Sequence, residues 1–106
     1  MVAMHAAALR FELWIPDSRS LKTKRAAVRP IVDGLRHRLH VSVAVVDHQD
    51  TWQRAALGVA AVADHPARLE EVLDTVERFV HRAGGVEVLR VERAELVAPD
   101  AGLGEW

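Results

Sequence analysis

The sequence predicts an α+β domain in the order strand, helix, strand, strand, helix, strand: a four-stranded antiparallel sheet with two helices on one face. Three observations carry this. Residues 5–15 alternate with a period of two; two later segments repeat apolar residues at helical spacing behind clear start signals; and two adjoining apolar runs, 41–46 and 54–64, flank a short polar knot.

In the first run Ala7, Leu9, Phe11, Leu13 and Ile15 take the odd positions while Arg10 and Glu12 take even ones, which is a strand with one buried face. Pro16 cannot donate to a sheet ladder, so the strand ends there, and Ser20 is the expected N-cap of the helix that follows. Over 20–39 the apolar residues Leu21, Val28, Ile31, Val32, Leu35 and Leu39 gather on one helical stripe. Pro30 removes a backbone donor in mid-helix and predicts a kink, with Gly34 weakening the same region. Val41, Val43 and Val45 then mark a β-branched strand, and 54–64 a second with small residues on both faces. Asp64, His65 and Pro66 start the second helix, with Asp64 as an acidic cap; Leu69, Val72, Leu73, Val76, Phe79 and Val80 form its core stripe; Gly84-Gly85 stops it. Strand character returns over 86–97, with a change of parity near 89–91 that predicts a bulge.

Right-handed crossovers make this a split βαβ arrangement of the ferredoxin-like kind, one domain over 1–98 with a Gly-rich tail at 99–106. A chain of 106 residues is long enough to bury a core without staples. The absence of cysteine excludes disulfides, thiolate zinc sites and cysteine nucleophiles, and fits a reducing compartment, with the cytoplasm as the expected location. No run approaches the roughly 20 apolar residues of a membrane helix, and the first residues lack the pattern of a secretory leader, so no membrane association is expected. Charge is lopsided: residues 1–63 carry nine Lys/Arg against five Asp/Glu, and 64–106 five against ten. One basic and one acidic face follow.

Three sets of residues are functional candidates. Lys22, Arg25, Arg29 and Arg36 run along one flank of the first helix, with Lys24 and Arg38 on the other side of its core face; charge at successive turns suits a phosphate backbone, and also suits a solvated helix flank. The knot, Asp47, His48, Gln49, Asp50, Trp52, Gln53 and Arg54, reads as a turn whose polar groups bond the backbone, as a recognition corner for a partner, or as a ligand or enzymatic site centred on His48 and Asp50. A bare Asp-His-x-Asp does not converge as metal ligands must, and no metal, cofactor or catalytic residue is assigned. Finally Ala6, Ala8, Ser42, Ala44, Val46, Ala56, Ala60 and Val62 fall on the sheet face away from the helices, an apolar surface suited to a second copy of the chain. With Phe11 and Phe79 on core faces and no tyrosine, the sheet is expected to lack the aromatics that stack RNA bases.

Ser20-Leu21-Lys22-x-Lys24-Arg25, the strand Val41-Ser42-Val43-Ala44 and the knot Asp47-His48-Gln49-Asp50-x-Trp52-Gln53-Arg54-Ala55 with Leu57-Gly58 resemble the YlxP-like family of small bacterial proteins, a likeness that extends to about Ala98. The resemblance implies a ferredoxin-like fold and a cytoplasmic protein, without established catalysis, encoded beside translation and ribosome-maturation factors and linked to the small ribosomal subunit. Val45 stands where such proteins often carry a glutamate, so a role that needs a carboxylate there is not carried over. Together these readings favour a non-enzymatic RNA- or small-subunit-associated protein; a homo-oligomeric interaction module on the open sheet face is the main alternative.

Overall fold

The computed structural model describes residues 4–96. Its elements are β1 (His5–Trp14), α1 (Leu21–His37), β2 (Ser42–Asp47), β3 (Arg54–Ala63), α2 (Pro66–His81) and β4 (Glu87–Glu95). They form one antiparallel sheet of order β2-β3-β1-β4 with both helices packed on one face, the expected ferredoxin-like arrangement. The proposed tail lies outside the described residues.

Alternation in β1 decides which side is core. Ala7, Leu9, Phe11 and Leu13 are buried against Val28, Ile31 and Leu35 of α1 and Leu69, Leu73, Val76 and Val80 of α2, while the even-numbered residues face away. Ser20 caps α1 as expected. Its hydroxyl accepts from the Thr23 amide, and the Thr23 hydroxyl accepts from the Ser20 amide, so two orphan helix donors are satisfied reciprocally. The helix runs through Pro30 without interruption. At α2 the expected acidic cap is replaced: His65, not Asp64, is the N-cap residue, makes no side-chain cap, and is followed by Pro66, whose missing amide costs nothing there. Gly85 turns the chain with φ +80 after the helix.

Gly34 is a packing requirement as well as a weak helix former. A Cβ there would overlap the ring of Phe79, so the glycine is what lets α2 approach α1. Gly34→Ala is expected to lower stability by about 1–2 kcal/mol in urea unfolding, because overpacking outweighs the ~1 kcal/mol gain in helix propensity. A more stable variant would show that the ring moves aside freely.

Two bulges shape the sheet. Glu12 pairs with Arg90 but Leu13 with Val88, the parity change expected near Leu89. Across the sheet Val45 pairs with Leu57 but Asp47 with Ala56, a second irregularity that the sequence did not announce.

Candidate functional site

On the open sheet face, pairing sets up transverse rows: Ser42, Ala60, Ala8 and Ala94; then Ala44, Gly58, Arg10 and Glu92; then Asp47, Ala56, Glu12 and Arg90. The face is therefore divided. Toward Ala6 and Val62 it is apolar, and Val62 (64% exposed), Leu96 and Met4 stand in solvent. Toward Trp14 it is polar, which corrects the expectation of a uniformly apolar surface. Ala56, assigned to the exposed set, is fully buried. Gly58 is overlain by Val46, whose Cγ1 would lie 3.0 Å from a Cβ at that position.

The polar end is built on Glu12, a carboxylate only 6% exposed on a face with no helix above it. Small neighbours explain how it fits, since Ala56 and Gly58 in β3 leave room for longer side chains to cross from β1 toward β2. Arg10 Nη2 donates to Glu12 Oε1 at 2.8 Å, while Arg54 Nη2 and His48 Nε2 lie 3.1 and 3.0 Å from Oε2. The Arg10 bond, helped by Arg54 and His48 and opposed by burial, holds the carboxyl down from its ordinary 4.5 to about 2. An ionised carboxylate only accepts, so the His48 Nε2 facing it carries a hydrogen. Arg10 also donates to Asp47 Oδ2 at 3.1 Å. Asp47 accepts from the His48 amide at 2.7 Å, and this bond first, then Arg10, keeps its carboxyl below the usual range. His48 is held in the left-handed region at φ 63, a costly conformation for a non-glycine residue that the surrounding bonds sustain.

A second centre holds the knot from beneath. Lys24, counted among the phosphate-binding candidates, is instead buried at 6% exposure. Its ammonium donates to the carbonyls of His48 (2.6 Å), Arg54 (3.3 Å) and Gln49 (3.4 Å), replacing backbone donors that an irregular loop cannot supply. Burial lowers its pKa. Gln53 ties the same loop to the carbonyls of Pro16 and Ser18. The knot thus splits in two. Asp47, His48, Gln53 and Arg54 commit their side chains to bonds with Arg10, Glu12 and the Pro16 and Ser18 carbonyls, whereas the side chains of Gln49, Asp50 and Trp52 are exposed and make no hydrogen bond among the described residues, Trp52 standing 55% exposed. His48 and Asp50 do not form a joint site: the histidine is committed to Glu12. Among the described residues no group of three His, Asp or Glu side chains is placed to hold a metal ion.

The even parity of Trp14 was the signal that the expectation of a face without aromatics overlooked. Trp14 ends β1 on the open face, 39% exposed and paired with Arg54. Arg10 and Arg90 were likewise not among the candidates.

The remaining basic candidates stay together. Lys22, Arg25, Arg29 and Arg36 are exposed along α1, and among the described residues none forms an ion pair. Arg25, Arg29 and Arg36 line a groove of about 340 Å³ between α1 and the outer edge of β2, where Asp33 is the single carboxylate among the described residues. Arg36 Nη2 donates to the Val43 carbonyl at 3.1 Å, so it also covers part of the free strand edge.

Residues 6–93 match the family described as a protein of unknown function (DUF503). The chain belongs to this family. A DUF503 resemblance at the level of an individual protein is to the uncharacterized protein YlxP of Bacillus subtilis (strain 168), 38% identical over 69 residues, or 65% of this chain and 75% of that protein. Among solved structures, this DUF503 chain is similar to the designed protein Foldit4 (TM-score 0.53, 13% identity, covering 91% and 99% of the two chains). It is also similar to the ACT domain of a GTP pyrophosphokinase from Chlorobium tepidum (TM-score 0.52, 12% identity, covering 94% and 97%). At these identities the likeness is one of fold.

Proposed function

We propose that this DUF503 protein is a non-enzymatic, cytoplasmic RNA-associated protein that contacts the small ribosomal subunit through the exposed flank of α1. The observation that supports this reading is the row Arg25, Arg29 and Arg36, three guanidiniums along one groove without an ion-pair partner among the described residues. Unpaired guanidiniums at successive turns exchange their counterions for phosphates, which gives affinity without sequence selectivity. The Glu12 centre serves less well, because its two arginines are neutralised by Glu12 and Asp47. In this reading the centre fixes the corner that carries Gln49, which lines the same groove as Arg25 and Arg29. Arg25→Glu with Arg29→Glu is expected to abolish co-sedimentation with small subunits at low salt, by about 100-fold or more in affinity, and the wild-type protein to lose affinity steeply as salt rises. Unchanged sedimentation of the double variant would overturn the proposal.

A second reading concerns the apolar end of the open face. Val62, Ala60, Ala8 and Leu96 form a surface that a second copy of the chain would cover, and this use is compatible with the first because the surfaces differ. Val62→Glu is then expected to shift the mass in light scattering from dimer to monomer at tens of micromolar. A wild-type monomer at that concentration would remove this reading and leave the first intact.

A further inference from the structure

α1 borders a second groove on its opposite side, sharing no residue with the one beside β2. It lies between the two helices, open to solvent, with a volume of about 750 Å³. Its floor is apolar because α1 offers only small or compact groups there, Ala26, Ala27 and Pro30, against the ring of Phe79. Its rim is basic. Arg78 in the last turn of α2 and Arg82 at its C-cap stand four residues apart, Arg38 closes the end of α1, and no carboxylate among the described residues lines the space. Among the described residues none of the three arginines forms an ion pair; Arg78 donates only to the Thr75 hydroxyl, at 3.3 Å, and Arg38 lies 5.7 Å above the centre of the Phe79 ring.

A basic residue near a helix C-terminus is ordinarily explained by the helix dipole. That accounts for one cation at each end. It does not account for Arg78 and Arg82 together beside Arg38, since like charges four residues apart repel and none of the three has an ion-pair partner among the described residues. An anion would remove that repulsion, and guanidiniums grip phosphate with paired bonds. The apolar floor narrows the class. A sugar-phosphate backbone crossing the groove would leave Ala26, Pro30 and Phe79 in water, whereas a planar ring would cover them, and the volume is that of a small-molecule site.

We infer that the groove between α1 and α2 binds a free nucleotide-sized organic phosphate, with its phosphates on Arg78 and Arg82 and its ring system on the apolar floor of Ala26, Ala27 and Pro30, beside the Phe79 ring that Arg38 covers. Among the described residues Thr75 is the one uncharged side chain with a hydrogen-bonding group in the lining, so the base is read weakly and one purine diphosphate is an adequate probe.

The test is a titration of the full chain with adenosine diphosphate, followed by amide NMR shifts and calorimetry, with adenosine and inorganic pyrophosphate as comparisons. Saturable shifts are expected at 26–31 and 75–84, with adenosine and pyrophosphate each binding at least about tenfold more weakly than the diphosphate. Arg78→Ala with Arg82→Ala is expected to raise the dissociation constant at least about tenfold; both residues are exposed, and circular dichroism checks that the helices persist. Arg25→Glu with Arg29→Glu leaves the affinity unchanged. Absence of shifts at millimolar nucleotide, shifts confined to the β2-side groove, equal affinity for pyrophosphate, or full binding by the Arg78/Arg82 variant would each overturn the inference. None of these outcomes bears on ribosomal association, which is read from different variants.

Discussion

Lys24→Met is expected to cost the fold about 3 kcal/mol and to release residues 47–54 to solvent exchange. The substitution keeps the apolar stem in the core but withdraws the charge that three carbonyls share. An unsatisfied buried acceptor costs about 1–3 kcal/mol, and partial access of water to a loop keeps the sum below three such penalties. The neighbouring Arg25→Met, on an exposed position, is expected to stay within about 0.5 kcal/mol of the wild type. Urea unfolding measures both, and hydrogen exchange locates the effect. Equal stability of the two variants would mean that the loop holds its shape without the ammonium.

Glu12→Gln is expected to destabilise by roughly 2–3 kcal/mol at neutral pH, since the amide keeps the volume but leaves Arg10 and Arg54 without their shared counter-charge. Both guanidiniums retain partial contact with water, which keeps the loss below that of a fully buried pair. The effect has a definite pH signature. The folded carboxyl titrates at about 2 against an ordinary 4.5, so its contribution is complete above about pH 4.5 and is lost as pH falls toward 2. Asp47 and Glu70, held below their usual range by the His48 amide and by Arg93 respectively, add losses of the same sign in acid. The stability curves of wild type and Glu12→Gln should therefore converge on acidification. A constant gap from pH 7 to pH 2 would show that the carboxylate's charge is not what matters.

These two residues also mark where reading the chain stops short of its structure. The alternation over 5–15, the two helical stripes, the Ser20 cap and the parity change near Leu89 are local patterns, and local patterns suffice for this fold. Lys24 was one basic residue among several, because only burial separates an ammonium bound to carbonyls from one facing water. Glu12 stood at an even position beside Arg10, as a solvent-facing residue would. Its burial depends on Ala56 and Gly58 from another strand and on His48 from a loop, and so on register and on a bulge between Val45 and Asp47 that no periodicity reveals. Trp14 was readable from parity. The arginines around the interhelical groove come from two helices, and although Arg78 and Arg82 stand four residues apart, no spacing along the chain connects them to Arg38.

The two bulges occupy the same latitude of the sheet, one on each edge strand, at the row of Glu12. Each shifts the count of its strand by one residue, so that Val43 and Val45 on one edge and Val91 on the other meet the side of the sheet their chemistry suits while Asp47 and Arg90 stay beside the carboxylate. Pairing every residue uniformly, with no bulge, would turn the strand beyond that point inside out, whereas removing the extra residue itself would leave Val45 and Asp47, or Val88 and Arg90, opposite their present partners. The edges of this protein are thus spelled by counting as much as by hydropathy, and Val46 and Leu89 are the positions in β2 and β4 where one residue can be removed with the neighbouring pairs kept in register.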